Sequence, residues 1–259
     1  MSKTAVKQAR SNIAKKLKEF GRILLESKII IDDKKIVEAA NSCLQKVPDI
    51  KGIKYDKKKS WGYEVPDLQI RFSSSDIKAD IFPVESTINS IIVSSKVIGR
   101  ICRNDYAEDP LYHLEFNLVV KGLTKNGEPL VASWHLDRHP DDSPTESVHP
   151  VYHFQYGGRK LIIPNDNYGN HLVLDMPRIM HPPLDLILGI DFVLSNFLGK
   201  TRNAMCSERL YVNSIAELQN LIWRPYVYSI ARHWPTYGNE NERYEWDSHS
   251  IYPQLLKSI

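Results

Sequence analysis

The stretch that decides the fold is residues 111–139, which read LYHLEFNLVVKGLTKNGEPLVASWHLDRH. Two runs of alternating apolar and polar residues flank the turn sequence KNG at 125–127, and this pattern predicts a β-hairpin. A two-residue loop would mix apolar with polar side chains on one face of the hairpin. A three-residue loop, with Gly127 in the left-handed conformation, places Asn117 opposite His135 and separates the two faces. We therefore predict the three-residue loop.

The predicted register sorts the side chains of the hairpin onto two faces. One face is mostly apolar and carries Leu114, Phe116, Leu118, Trp134, Leu136 and Arg138. The other face is polar and carries His113, Glu115, Asn117, His135, Asp137 and His139. The next alternating run, residues 149–156, adds His153 and Gln155 to the polar face if it pairs with residues 131–139. The sequence therefore predicts a sheet face that is rich in histidine and carboxylate groups.

Histidine and carboxylate side chains at every second position of a strand suit two chemistries. They can converge on a divalent metal such as zinc or manganese, or paired histidines can act without a cofactor as general acid and base on a phosphodiester. The predicted catalytic residues are His135, Asp137, His139 and His153. The predicted substrate-binding residues are His113, Glu115 and Gln155. If a metal is bound, its predicted ligands are His135, Asp137 and His139.

The polar face also has an interpretation that involves no chemistry. Antiparallel sheets often expose one polar face to solvent. Solvated strands usually carry threonine, lysine and glutamate rather than repeated histidine, and this composition favours the functional interpretation. No standard metal or nucleophile motif accompanies the histidines. The prediction of a functional site therefore depends on the spacing of the histidines and on the composition of the strands.

Upstream of the hairpin the chain begins with helices. Apolar residues at steps of three and four predict amphipathic helices over residues 5–27 and 34–46. Residues 51–66 are rich in lysine, glycine and aspartate and predict a mobile connector. Residues 68–103 favour β-strands because β-branched and alternating segments recur there.

Downstream of the hairpin the pattern changes from strand to helix. Short strands are predicted at 160–163 and 171–175. An almost wholly apolar run predicts a helix over 184–198, and a further helix is predicted over 214–232 with a kink at Pro225.

These elements predict an α+β fold with N-terminal helices, a central antiparallel β-meander and C-terminal helices packed on the sheet. The predicted organisation is a basic N-terminal helical segment over 1–50, a main α+β domain over 67–232 and a C-terminal tail over 233–259.

The distribution of charge predicts an acidic partner. Residues 1–60 hold 16 lysine and arginine residues against 7 acidic residues, whereas the remaining 199 residues hold 18 against 24. A basic segment of this kind is typical of a surface that binds nucleic acid or an acidic protein. The alternative is a solvated helical face without a partner.

The composition places the chain outside the membrane and secreted classes. No segment approaches the roughly 20 consecutive apolar residues that a membrane-spanning helix needs. The basic N-terminus lacks the apolar region of a secretory signal. The three cysteines are far apart and form neither a CxxC pair nor a disulfide framework, so a reducing cytoplasm is the expected compartment.

Three segments of the central region, YHLEFNLVVKG, EPLVASWHLDRH and HPVYHFQYGG, together resemble small bacterial toxins of the TumE-like type. The resemblance extends over residues 111–157 and lies in the pattern of strands and in the histidine-rich return strand. It implies a setting in bacterial defence or in a toxin–antitoxin system. It assigns no role to an individual residue.

Two functional hypotheses follow from the sequence. The first is a hydrolase of the nuclease or phosphodiesterase type, with the histidine face as its site and the basic N-terminal helices as a guide for the substrate. The second is a non-catalytic subunit of a larger assembly that docks a partner through the same helices, with structural histidines.

Overall fold

The computed structural model describes residues 3–77, 81, 83–101, 108–139, 149–157, 177–234 and 246–255. Its helices are α1 (Lys3–Glu26), α2 (Lys34–Gln45), α3 (Leu186–Phe197), α4 (Gly199–Met205), α5 (Arg209–Leu218), α6 (Arg224–Ala231) and α7 (Ser248–Ile251). Its strands are β1 (Ser60–Ile70), β2 (Thr87–Arg100), β3 (Leu111–Leu123), β4 (Pro129–Arg138), β5 (Tyr152–Tyr156) and β6 (Ile179–Met180). A short π-helical segment, Gln219–Trp223, joins α5 to α6.

The strands form one antiparallel sheet in the order β1-β2-β3-β4-β5-β6, which is a meander. With helices before and after it, the sheet confirms the predicted α+β fold. The predicted hairpin register is also confirmed, because Asn117 pairs with His135 across β3 and β4. The Thr124 N–H donates to the Glu128 carbonyl at 2.9 Å, and Gly127 has a φ of +82°, as the three-residue loop requires.

The apolar face of the sheet is the core of the molecule. Leu114, Phe116, Leu118 and Leu136 are fully buried there. Helix α3 packs directly on this face. A Cβ atom at Gly189 would lie 2.1 Å from the Phe116 ring, so only glycine lets the helix approach so closely.

The N-terminal helices belong to the same hydrophobic core as the sheet. Leu17 and Phe20 of α1 and Cys43 of α2 are all buried in it. Their bounds agree closely with the predicted helices over 5–27 and 34–46. The stripe of apolar residues on each helix therefore faces the core, as amphipathic periodicity requires.

The predicted connector over 51–66 is wrong in its second half, because β1 begins at Ser60. Trp61, Tyr63 and Val65 alternate along this strand and are buried. The lysine run 57–59 forms a single 3₁₀ turn before the strand, and the Asp56 side chain caps it by accepting from Lys58 N–H. The density of lysine and glycine concealed the alternation that begins directly after it.

The predicted helix over 214–232 begins too late. Helix α5 already begins at Arg209, and the helical chain continues through the π segment into α6. The expected irregularity at Pro225 takes the form of that π segment, because proline has no N–H and clashes with the carbonyl four residues earlier. Helix α3 ends at Phe197, and the chain enters α4 directly at Gly199.

Several predictions concern residues outside the described ranges. The strands predicted at 160–163 and 171–175 are among them, as is most of the predicted tail. Within the described helices, none is long and apolar enough to cross a bilayer.

Candidate functional site

The polar face of β4 and β5 brings three of the predicted catalytic residues together. His135 and Asp137 lie two residues apart on β4, and His153 lies directly opposite Asp137 on β5. One ligand atom from each of these residues lies within 4.8 Å of the other two. We call these three residues the His–Asp cluster.

The His–Asp cluster differs in one member from the predicted metal ligands. His153 takes the place of His139, because strand pairing puts His153 beside Asp137, whereas His139 lies just beyond the end of β4. Direct cross-strand neighbours lie closer together than residues four positions apart on one strand. Among the described residues, the cluster is the one group with ligand atoms close enough to share a metal ion.

The orientation of the His153 ring suits cation binding. Its Nδ1 lies 3.3 Å from the Pro150 carbonyl oxygen, and its Nε2 lies 2.9 Å from Asp137 Oδ1. In the tautomer that donates from Nδ1 to Pro150, Nε2 directs a lone pair toward a carboxylate oxygen. Two lone pairs that face each other favour a cation between them, either a proton on Nε2 or a metal ion.

The donor set fits a metal ion, and so does the 2.9 Å spacing of His153 Nε2 and Asp137 Oδ1. Zinc lies about 2.0–2.2 Å from imidazole nitrogen and carboxylate oxygen, so two neighbouring ligand atoms lie about 3 Å apart. Asp137 Oδ1 is buried and lies 2.9 Å from His153 Nε2. A buried carboxylate oxygen needs a positively charged partner, which here is either a proton on His153 Nε2 or a metal ion. The Asp137 side chain as a whole is 40% exposed, so the cluster is open to solvent on one side.

A row of histidines extends from the His–Asp cluster along the sheet. The ring of His149 lies 4.4 Å from that of His153 and stacks at 3.8 Å on that of His139, measured between centroids. His135 lies at the other end, 6.3 Å from His153. His139 is therefore connected to the His–Asp cluster by the ring of His149, although it is not a member of it. Sequence reasoning did not assign His149 a role, although its spacing of four from His153 on one strand face was a usable signal.

Burial and neighbouring charges lower the pKa values of three residues at the site. Burial, together with the charges of His153, His139 and Arg178, lowers the pKa of His149 to about 4. Burial is also the main cause that lowers the pKa of His135 below its usual value. Burial alone would raise the pKa of Asp137, but the proximity of His153 and His135 outweighs it and lowers that pKa.

The predicted substrate-binding residues surround the cluster unequally. Glu115 pairs with Asp137 across β3 and β4 and is exposed. His113 is 5% exposed, and its Nε2 lies 3.4 Å from Glu115 Oε1. Gln155 pairs with His135 and is buried. Glu115 can therefore meet a ligand from solvent, whereas His113 and Gln155 support their neighbours.

A buried ion pair lies behind the cluster on the apolar face. Arg138 Nε donates to Asp109 Oδ2 at 2.7 Å, and the Tyr152 hydroxyl donates to Asp109 Oδ1 at 2.5 Å. Arg138 directly follows Asp137 in the chain, and Tyr152 directly precedes His153. The Asp109 carboxylate therefore holds β4 and β5 together at the positions that carry the site.

No protein-family model, curated protein or solved structure matches the chain. The function must therefore be argued from the geometry of the site.

Proposed function

We propose that the protein is a metal-dependent hydrolase that cleaves phosphodiesters at the His–Asp cluster. The observation that supports this proposal is the convergence of His135, Asp137 and His153, with ligand atoms within 4.8 Å of one another. Two histidines and one carboxylate are a donor set of catalytic zinc sites, which keep a position open for water or substrate. The solvent-facing side of Asp137 supplies that opening.

The metal and the residues around the cluster would have different roles in hydrolysis. A bound zinc or manganese ion would activate water and polarise the phosphoryl oxygen. His149 has a pKa of about 4 and is a weak base, so it is suited to accept a hydrogen bond from a water molecule at the cluster rather than to remove its proton. Arg178 lies close enough for its charge to lower the pKa of both His135 and His149, so it presents positive charge to this region. Such a charge favours the phosphate of a substrate and the anionic transition state.

The direct test is hydrolysis of bis(p-nitrophenyl) phosphate by the full chain with zinc or manganese added in turn. Turnover that requires the metal and is abolished by a chelator supports the proposal. Absence of turnover with either metal, on this substrate and on RNA and DNA, would remove the hydrolase and favour a non-catalytic subunit.

The identity of the metal separates the hydrolase from one other class of enzyme. Two histidines and a carboxylate also hold the iron of non-haem oxygenases. Zinc or manganese in the protein as purified, measured by elemental analysis, supports the hydrolase. Iron together with oxygen-dependent turnover would favour an oxygenase instead.

We expect the metal-free protein to bind one zinc or manganese ion at the His–Asp cluster. Replacing His135 with alanine removes one of three ligands and should weaken binding by more than the roughly 10–100-fold that loss of an outer-shell partner costs. Isothermal titration calorimetry measures the affinity. His249→Ala, at an exposed histidine of α7, is the matched control and should bind as the parent does. Equal affinity in all three proteins would place the metal elsewhere.

The substrate that we propose is a polynucleotide, guided by the basic residues 1–60. Lys57, Lys58 and Lys59 are exposed at the start of β1. Because neighbouring strands lie about 4.8 Å apart, β1 and the cluster strand β4 are separated by roughly 15 Å across the sheet. A chain of several nucleotides can cover that distance. A cytoplasmic setting in bacterial defence or a toxin–antitoxin system is consistent with such a substrate.

We expect binding of single-stranded RNA or DNA to weaken steeply as salt rises, because each phosphate contact releases counterions. Replacing Lys57, Lys58 and Lys59 together with glutamine should reduce the slope of log affinity against log salt by about 2. Fluorescence anisotropy with a labelled oligonucleotide gives both quantities. Lys200→Gln, an exposed lysine of α4, is the control. Absence of binding at low salt would exclude nucleic acid and favour an acidic protein partner.

A further inference from the structure

Glu115 is an exposed carboxylate directly beside the His–Asp cluster. It pairs with Asp137 across β3 and β4, and its side chain is 51% exposed. The Cβ atoms of residues that face each other in this way lie about 4.5–5.5 Å apart. Glu115 is not part of the group whose ligand atoms converge, so a metal ion at the cluster leaves its carboxylate available to another group.

The contacts of Glu115 hold it in its charged form. Its Oε1 lies 3.4 Å from Nε2 of His113, which is buried. This contact is the main cause that lowers the pKa of Glu115, and the charge of Lys96 lowers that pKa further. Lys96, its neighbour on β2, also forms a 3.2 Å ion pair with Glu64. At neutral pH the Glu115 carboxylate is therefore a hydrogen-bond acceptor that carries negative charge.

Two carboxylates that face each other are unfavourable unless another group offsets them. Like charges directly opposite each other on neighbouring strands destabilise a sheet. Asp137 has His153 and the proposed metal ion to offset its charge, whereas the Glu115 side chain is exposed. A second carboxylate at this place would also repel the phosphate of a substrate. It contributes to binding only if the substrate brings a hydrogen-bond donor to it.

RNA carries such a donor beside its phosphates. The ribose 2′-hydroxyl is attached to the carbon next to the one that bears the 3′-phosphate, and it can donate a hydrogen bond to a carboxylate. If the phosphate lies at the cluster, this hydroxyl lies within about one strand spacing, roughly 4.8 Å, of it. Glu115 lies one strand away from Asp137, so the two separations match. DNA has no hydroxyl at this position.

We propose that Glu115 selects RNA over DNA by accepting a hydrogen bond from the 2′-hydroxyl next to the scissile phosphate. This inference rests on the hydrolase function proposed for the His–Asp cluster, and it narrows the substrate from polynucleotides to RNA. A site that accepts a hydrogen bond from a substrate hydroxyl rejects the analogue that lacks this group, because the acceptor loses its partner. Repulsion between Glu115 and the phosphate adds to the discrimination against DNA.

The test compares RNA, DNA and 2′-O-methyl RNA of one sequence without uracil as substrates of the full chain with its metal. The kcat/KM for RNA should exceed that for DNA at least about tenfold, which is the effect of one hydrogen bond to a charged group. The 2′-O-methyl RNA keeps the oxygen but cannot donate, so it should react as DNA does. Glu115→Ala should lower the RNA-to-DNA ratio of kcat/KM about tenfold, and Glu115→Gln, which keeps a neutral acceptor, should give an intermediate ratio.

The matched control is Glu128→Ala, at an exposed glutamate directly before β4, which should keep the ratio of the parent. Bis(p-nitrophenyl) phosphate has no sugar and therefore separates the two proposals. If the protein hydrolyses neither this ester nor any oligonucleotide, the hydrolase proposal is wrong and the role of Glu115 is wrong with it. If it hydrolyses the ester or DNA without a preference for RNA, or if the preference survives Glu115→Ala, the role of Glu115 alone is wrong. Circular dichroism shows whether each variant folds, and Glu115→Gln carries the test if Glu115→Ala does not.

Discussion

Replacing Asp109 with alanine is expected to lower the free energy of unfolding by about 3–5 kcal/mol. The Asp109 carboxylate accepts hydrogen bonds from Arg138, from the Tyr152 hydroxyl and from the Leu111 N–H, and it is 5% exposed. The Arg138 side chain is 9% exposed, so removing the carboxylate takes away a negative charge that lies 2.7 Å from an interior cation. Breaking one partner of a buried pair is costly for that reason.

Urea unfolding followed by circular dichroism measures this loss. Asp109→Asn keeps the shape and part of the hydrogen bonding, so it should be less destabilising than Asp109→Ala. Glu38→Ala, at an exposed acidic residue of α2, is the matched control and should change stability by no more than about 0.5 kcal/mol. A loss below about 1 kcal/mol for Asp109→Ala would mean that the pair adds little to the stability of the fold.

The Asp109 interactions also matter for the site. Arg138 and Tyr152 are chain neighbours of Asp137 and His153, and their side chains point to the opposite face of the sheet. A change on the apolar face is therefore transmitted to the His–Asp cluster through the backbone of β4 and β5. We expect Asp109→Asn to weaken metal binding although Asp109 does not touch the cluster.

The central hairpin could be predicted because several local signals agreed. Gly127 allows the left-handed turn, and the three-residue loop alone separates apolar from polar side chains. A slip of one residue would have placed Phe116 and Leu136 on the polar face, so burial of one face fixes the register. The structure has this register, with Asn117 opposite His135.

Where local signals conflicted, the sequence was misleading. The lysine run 57–59 indicated a connector, although the alternating strand that begins at Ser60 packs Trp61 and Tyr63 into the core. Burial of every second side chain outweighs the low strand propensity of the residues before it. In the same way, packing of Tyr211 into the core extends α5 five residues ahead of its predicted beginning at Ser214.

The candidate site was only partly predictable because its members come from separate segments. The alternation of β4 placed His135 and Asp137 on one face, but the offset between β4 and β5 decides which residue of β5 lies opposite Asp137, and that residue is His153. No local pattern specifies that offset. Arg178 lies 25 residues beyond His153 in the chain, so only the folded structure brings its charge near these histidines.

Loss of His153 or His135 is expected to reduce phosphodiester hydrolysis at least about 10²-fold, because each would remove a metal ligand or a general base. The two positions need different substitutions. His135 is half-buried, so alanine should cost little stability there. His153 is 3% exposed and its Nδ1 faces the Pro150 carbonyl, so alanine would leave a cavity and an unsatisfied carbonyl. His153→Asn keeps a polar group at that position and is the better probe of function.

Steady-state hydrolysis of bis(p-nitrophenyl) phosphate, with circular dichroism of each variant, separates the roles. A variant that folds as the parent does but loses turnover marks the histidine as part of the site. His249→Ala should retain full activity, because it removes an exposed histidine that is not a member of the cluster. If His135→Ala and His153→Asn both fold and act as the parent does, the polar face is ordinary sheet surface and the hydrolase proposal is wrong. If His135→Ala fails to fold, its ring is a structural element, and the subunit hypothesis gains support.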